Sequence, residues 1–368
     1  MSAPAGDPRA LLADTVTRLF GDLVTKEALE AAEKGAWPEA LWQALEEGGL
    51  TLPLVPEAQG GAGGTWLDAH VVVRAAGRHA APVPLAETIV ASWLLAEAGL
   101  DVPLGPLAIA PVQRNDRLAL RRAGGGWRLD GVAHRVPWGA ASGHVVVVAE
   151  GDGRPTVALV ARGAGQAAPD RNLALEPRDT LTYREAPVLA AGPVAAGWAL
   201  ASGGAADVGP EAGVVILHGA LVRSAQMAGA LESLLQQSVR YATERRQFGR
   251  PIGNFQAIQH GLAVLAGHAA AAGIAAERAF AAAEGGDCAF EVAAAKIRCG
   301  EAAGVCASIA HQTHGAIGFT YEHSLHFATR RLWSWRAEFG SESRWAAALG
   351  RQVTARGADA LWADLTAR

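Results

Sequence analysis

The stretch RYATERRQFGRPIGNFQAIQH, Arg240 to His260, lies between two long, alanine-rich apolar runs. Upstream, GVVILHGALVRSAQMAGALESLLQQSVRYATER carries apolar residues at three- and four-residue spacing over roughly thirty positions. That spacing predicts a helix on the order of 45 Å long, at about 1.5 Å per residue. Downstream the same periodicity resumes and predicts helices over about 254–284 and 290–314. Two arginines, a Gln, a Phe and a Gly-Arg-Pro-Ile-Gly turn interrupt it. An arginine at a helix end can meet the last carbonyls of the helix. It can also hold a phosphate through bidentate, charge-assisted hydrogen bonds.

Upstream of these helices the pattern changes twice. From about residue 8 to 99 it is helical: ALWQALEEGGL ends on Gly48-Gly49, the loop LVPEAQGGAGG feeds a second helix, and LAETIVASWLLAEAGL is a third. From about 106 to 206 it reads as strands. GWRLDGVAHRV alternates, with a turn expected at Asp130-Gly131, and HVVVVAEGDGRPTVALVARG reads as two strands joined through 151–155. The expected organisation is an N-terminal helical domain (1–105), a middle β domain (106–208) and a C-terminal helical-bundle domain (209–368).

Composition excludes several classes. The chain has 368 residues, half of them apolar, with a net charge of −4 and charges of both signs scattered. That is room for two or three domains, and it is no nucleic-acid surface. No uninterrupted apolar run reaches about 18 residues, so no membrane span is expected. MSAPAGDPRALLADTV carries acids and lacks a signal-peptide core, which leads to an expected cytoplasmic location. Cys288, Cys299 and Cys306 are an odd, clustered set and no disulfide framework. Gly151-Asp152-Gly153 is followed by Arg-Pro and a new strand, and Gly60–Gly64 follows no strand, so both read as turns or loops and not dinucleotide fingerprints. His311 with His314, and His323 with His326, have ligand-like spacing. No cysteine or carboxylate completes a set and Gly315 and Gly318 break the helix, so no metal is expected and these histidines are read as interface or cofactor-adjacent. Trp333 and Trp335 read as core and interface anchors.

The full pattern YATERRQFGRPIGNFQ resembles the C-terminal signature of the acyl-CoA dehydrogenase family, Y-A-x-x-R-x-Q-F-G-x-P-I-x-x-F-Q. HQTHGAIGFTYEH, 311–323, resembles the family's Q-x-x-G-[GA]-x-G-[FY] motif, and the LVPEAQGGAGG loop and helix–sheet–helix order extend the likeness over nearly the entire chain. The resemblance implies an α+β fold with an N-terminal helical domain, a middle β-barrel or sandwich, and a C-terminal four-helix bundle. It implies FAD, an acyl-CoA substrate desaturated between Cα and Cβ, and an electron-transfer flavoprotein or other acceptor. In such folds the flavin ring lies on the middle domain of its own subunit and the ADP half crosses to a neighbour. The resemblance therefore assigns Arg245, Gln247 and Phe248, with Gln256 nearby, to the diphosphate and ribityl region of a partner's FAD. Gln312, Gly315, Ala316 and Gly318 form a second wall.

The departures are as telling. Where the family has T-E-P and G-S-D to hold the flavin ring, this chain has LAIAPVQRNDRLALRR. Where the family places an aromatic and then a Thr or Ser on the flavin, this chain has Arg135 and Pro137, and proline has neither N–H nor hydroxyl. Three positions used for the catalytic Glu in different branches hold Phe339, Gly219 and Gln226, and an amide cannot act as the base. Glu338 and Glu342 are the remaining candidates for an atypical base. The resemblance with these departures implies the non-catalytic subunit of an α2β2 acyl-CoA dehydrogenase, with a second dehydrogenase-like subunit as partner, and in the family such assemblies serve lipid or steroid catabolism. The alternatives are a self-sufficient homotetramer and a non-enzymatic assembly protein.

Overall fold

The structure is a computed structural model that describes residues 7–113, 115–194 and 213–367. The expected boundary at 208/209 lies outside the described residues.

Five helices open the chain: α1 (Pro8–Leu23), α2 (Lys26–Glu33), α3 (Glu39–Glu47), α4 (Trp66–Arg78) and α5 (Leu85–Glu97). The glycine-rich 60–64 stretch is a loop, and it delivers the chain to a capping box in which Thr65 and Asp68 satisfy each other's backbone N–H at the start of α4. Eight strands follow: β1 (Leu107–Ala110), β2 (Arg117–Ala123), β3 (Gly126–Pro137), β4 (His144–Gly151), β5 (Arg154–Ala161), β6 (Gln166–Ala168), β7 (Arg178–Pro187) and β8 (Ala190–Pro193). They form one mixed sheet of order β6-β7-β3-β2-β4-β5-β8, with β1 parallel to β4. The β4–β5 hairpin turns at Asp152-Gly153, both at positive φ, as the sequence leads one to expect. The turn expected at Asp130-Gly131 is instead a bulge inside β3. Gly131 has φ +127 and a Cβ there would stand 1.8 Å from the Arg117 carbonyl, so only glycine fits and the strand runs on.

The remaining chain is helical: α6 (Val214–Glu244), a two-residue hairpin of β9 (Arg246–Gln247) and β10 (Arg250–Pro251), α7 (Gln256–Ala283), α8 (Ala289–His314), α9 (Leu325–Trp335), α10 (Glu342–Arg356) and α11 (Ala358–Thr366). α6 is the axis of the molecule. It is buried without a break from Val214 to Leu231, which only a helix covered on every side can be. It meets α4 in backbone contact, since a Cβ on Gly77 would lie 2.1 Å from the Gln226 carbonyl and one on Gly229 2.0 Å from that of Arg74. No space remains between these helices for a ligand at that crossing.

By length and composition alone α6 and α7 would each be long and apolar enough to cross a membrane, a property that buried core helices share. Alanine raises their mean hydropathy without an unbroken run of larger residues. The apolar window of α6 is wholly buried inside the protein, while that of α7 is mostly at the surface.

Candidate functional site

The two motifs that carry the resemblance meet in space. The Tyr241 ring, one turn before Arg245, stacks on His314 at 4.5 Å, and His314 lies 4.6 Å from His323. His323 precedes α9 and does not share a helical face with His326, because α9 begins at Leu325. Burial holds all four histidines, His311, His314, His323 and His326, below their usual pKa, so they are neutral at pH 7. No metal-binding group of His, Cys, Asp and Glu exists among the described residues.

Arg245 is the C-cap of α6, with extended backbone, its N–H donating to the Tyr241 carbonyl at 2.8 Å and its carbonyl accepting from Ile252 at 2.8 Å. Its side chain is exposed and, among the described residues, makes no hydrogen bond or ion pair. It is therefore no cap for the helix carbonyls. The next residues form a tight hairpin in which Gln247 pairs with Arg250 and the turn residues Phe248 and Gly249 have φ +50 and +79. That turn suits Gly at both positions. Phe248 is held there with 89% of its surface exposed, and its ring meets Phe255 edge-on at 6.0 Å. Gln247 is exposed beside it, and Gln256, also exposed, is the first residue of α7.

On the second wall, Gln312 and Ala316 are exposed. Gly315 ends α8 at φ +64, ψ −144, with nothing within 4 Å of where a Cβ would stand, so its backbone faces open space. Gly318 differs. It is buried, with a Cβ position 3.0 Å from His314 and 3.1 Å from Leu325, so it shapes the turn and lines no opening.

The flavin-ring side of the resemblance has a different structure. In the 111–116 loop, Asp116 is buried. Its carboxylate accepts from the N–H of Val112 (3.1 Å), Gln113 (2.9 Å) and His134 (2.8 Å), and contacts His134 Nδ1 at 2.8 Å. Asp116 thus ties Val112, Gln113 and His134 together. Arg135 turns outward at φ +55 to pair with Asp170 at 3.0 Å, and Pro137 is buried in β3.

Two of the positions that the resemblance links to a catalytic base, Gly219 and Phe339, meet in the structure. A Cβ on Gly219 would lie 2.3 Å from the Phe339 ring, so the ring lies where a side chain at 219 would have to go. Phe339 is 2% exposed, at φ +53, its carbonyl accepting from Trp345 Nε1 at 3.0 Å. Lys296 Nζ donates to the carbonyls of Trp335 (3.3 Å), Arg336 (2.7 Å) and Gly340 (2.8 Å), and so fixes the segment that carries the ring. Gln226 is buried and its side-chain carbonyl accepts from Arg223.

Around the ring runs a buried ionic network absent from any local sequence pattern. Glu338 accepts from Arg178 Nε (2.7 Å), Arg223 Nε (2.7 Å) and Asn172 (3.2 Å). Arg178 also meets Glu176 at 2.9 Å, Arg331 lies 3.1 Å from Glu176, and Arg223 bonds Glu87. Arg178, Arg223 and Arg331 thus balance Glu87, Glu176 and Glu338. Burial alone would push the Glu338 carboxyl up, but Arg178 and Arg223 outweigh it and hold it at about 2. A base for a weakly acidic C–H needs its pKa nearer neutrality. For Glu342 burial is again the largest single effect and raises its pKa, but its hydrogen bond and charge pairing with Arg336, together with a backbone hydrogen bond, bring it below its usual value.

Comparison with known proteins agrees with this fold. The family models for the acyl-CoA dehydrogenase N-terminal and C-terminal domains match residues 7–101 and 213–353. An acyl-CoA dehydrogenase of Mycobacterium tuberculosis, IpdE2, is 32% identical over 336 residues, covering 88% of this chain and 91% of its own. Among solved structures, a variant of the steroid acyl-CoA dehydrogenase Tcur3481-Tcur3483 superposes with a TM-score of 0.83 at 27% identity, covering 96% of this chain and 99% of that one. The ChsE4-ChsE5 complex of M. tuberculosis superposes at 0.80 with 24% identity, covering 96% and 98%, and shows the same fold.

Proposed function

The chain belongs to the acyl-CoA dehydrogenase family, a family of oxidoreductases, and from that premise we propose that it is the non-catalytic subunit of a heteromeric, α2β2 member. In this reading it completes the FAD site of a second, dehydrogenase-like subunit and performs no chemistry itself. The observation that carries the proposal is the contact of Phe339 with Gly219, which closes two alternative base positions with one apolar ring. FAD, when bound in the complex, supplies the hydride acceptor. This chain's residues fit one end of that cofactor and not the other. Arg245 offers an unspent guanidinium fork for a diphosphate, Gln247 and Gln312 offer exposed amides, and Gly315 allows close backbone approach. Pro137, the 111–116 loop tied by Asp116 and the buried Phe339 leave no platform for a flavin ring. Gln256, Phe248 and Ala316 border the same surface.

The substrate class we infer is a bulky acyl-CoA of the steroid type. Support comes from the 27%-identical Tcur3481-Tcur3483, itself a steroid acyl-CoA dehydrogenase. The paired names Tcur3481-Tcur3483 and ChsE4-ChsE5 support a second subunit. The test is to purify the chain alone and co-expressed with a dehydrogenase-like chain encoded beside it. The lone chain should carry no stoichiometric flavin and turn over no acyl-CoA, and the pair should be yellow and active. Stoichiometric FAD with turnover in the lone chain would sink the proposal.

A further inference from the structure

The turn that joins α8 to α9, residues 315–324, is held among imidazoles. His311 and His314 lie in the last turn of α8, His323 lies in the connecting turn, and His326 is the second residue of α9. Each is placed as a neutral ring. His323 Nδ1 accepts from the Leu325 N–H at 3.1 Å, so it meets one of the orphan donors at the start of α9, where Ser324 supplies no side-chain cap. His326 Nδ1 donates to the His323 carbonyl at 2.8 Å, which leaves its lone pair on Nε2, buried and without a hydrogen bond. His314 Nδ1 donates to the Ala310 carbonyl at 2.7 Å, and its ring lies between Tyr241 at 4.5 Å and His323 at 4.6 Å. His311 stands in a stack, 4.2 Å from Phe319 at 20° and 5.6 Å from Trp333 at 14°, with Nε2 3.1 Å from the Thr329 hydroxyl and Nδ1 buried without a hydrogen bond.

Protonation works against this arrangement. A charged His323 carries a proton on both nitrogens and can no longer accept from Leu325. A cation on His323 or His326 also opposes the dipole at the start of α9. At the end of α8 the dipole favours a charge on His311 and His314, and the Ala310 and Gln237 carbonyls favour one on His314, yet burial outweighs them. The facing helices add cations and no free carboxylate. From α2, Lys26 donates to the Glu322 carbonyl at 3.2 Å and lies 3.7 Å from Glu30, and Glu33 is paired with Arg330 of α9. From α6 come the Tyr241 ring and Gln237, whose side chain accepts from the Ser324 hydroxyl at 3.4 Å. Tyr321 packs on His326 at 4.9 Å. We propose that the four histidines form an acid-operated latch: neutral, they hold the 315–324 turn against α6 and α9, and protonated in mild acid they release it, carrying Gly315 and Ala316 away from the cofactor wall. The consequence for the cofactor rests on the reading that this chain completes a dinucleotide site; the latch itself does not. The folded pKa of each histidine lies below its ordinary 6.5, so the turn is fully held above about pH 6.5 and loses stability as pH falls below it.

The test is hydrogen–deuterium exchange of the lone chain from about pH 7.5 down to about pH 5, corrected for the intrinsic pH dependence of exchange. Peptides covering 315–325 are read against peptides from the cores of α4 and α6. Those cores hold His70 and His218, whose pKa of about 4 keeps them silent in this window. The opening constant of the turn should rise by more than about tenfold per pH unit, since uptake of one proton gives at most that, while the α4 and α6 peptides stay protected. His323→Asn keeps an acceptor for the start of α9 and cannot be charged, so it should lower that slope by up to about tenfold per pH unit. His326→Gln should do the same, and decides the matter if His323→Asn loosens the turn at every pH. A turn whose opening ignores pH, or a slope unchanged in both variants, overturns the latch. In the complex, mild acid should release flavin from the wild type and leave more of it bound in His323→Asn. If the turn opens in the lone chain while the complex keeps its flavin, the latch stands and the placing of the cofactor against this wall falls.

Discussion

Arg223 and Arg245 belong to one helix, about 33 Å apart along α6 at 1.5 Å per residue, and the fold uses them in opposite ways. Arg223 is 2% exposed, and its guanidinium meets Glu87, Glu338 and Gln226. Arg245 is exposed and, among the described residues, meets nothing. Around Arg223 the space beside Gly219 is filled by the Phe339 ring and the surrounding charges neutralise one another. Around Arg245 a phenylalanine is held at positive φ in solvent and a glycine backbone lies open. One region is packed as core, and the other leaves an arginine and a glycine backbone without partners among the described residues. Under the proposed function this contrast reflects a division of labour between two subunits.

The comparison breaks most visibly at Arg223. Arg223→Ala leaves Glu87 and Glu338 buried with a charge removed from between them, and should cost about 3–5 kcal/mol in denaturant unfolding of the lone chain. Phe339→Ala should cost about 3–5 kcal/mol, by transfer and cavity terms together, and should gain no turnover, because emptying the site restores neither base nor platform. An unfolding midpoint unchanged by either substitution would mean that this region is not core.

Acid should act on the same network. Glu338 has its folded pKa depressed from 4.5 to about 2, so its contribution is present above about pH 4.5 and is lost as pH falls from there toward 2. At about 1.36 kcal/mol per pKa unit this amounts to about 3 kcal/mol. Glu338→Gln should remove much of the acid sensitivity in that window while lowering stability at pH 7. Gly219→Ala places a methyl against the Phe339 ring and should cost about 1–3 kcal/mol, and Gln226→Glu should yield no dehydrogenation in the lone chain. Least of all should the lone chain notice Arg245→Ala, within about 0.5 kcal/mol. The same change in the complex should weaken FAD retention by about one to two orders of magnitude, since a hydrogen bond to a charged group is worth roughly 1.5–3 kcal/mol, and Arg245→Lys should recover only part of it.

The sequence shows these two regions unequally. Arg245, Gln247, Gln312 and Gly315 lie in two compact motifs, and a motif is a local object that survives being read along a line. The 31-residue α6, the β4–β5 hairpin and the helix–sheet–helix order are equally legible, because periodicity and turn chemistry are local too. The filled site is only half legible. Gly219 and Phe339 each read as a departure, but that one ring occupies the space of the other position is a contact between residues far apart in the chain. The ionic network joins residues from Glu87 to Glu338, and no local pattern marks an arginine as buried and paired. At Asp130-Gly131 the dipeptide favours a turn, yet strand pairing on both sides of β3 turns the same glycine into a bulge. The aromatic stack is invisible in the sequence, where His311 reads by its spacing, Phe319 as a motif residue and Trp333 as an anchor. Their near-parallel stacking exists only once α9 folds back on α8.

The central claim is that each pair of subunits has one flavin platform, belonging to the partner, and one completing arm, belonging to this chain. The most direct measurement is the flavin-to-protein ratio of the purified complex, with the chain ratio fixed independently by mass spectrometry of the intact assembly. The account predicts one FAD for every two chains, unchanged by added FAD and lowered on dilution when Arg245 is Ala. One FAD for every chain would show that this subunit holds a flavin of its own, and would contradict the reading of Phe339, Gly219 and Pro137 together.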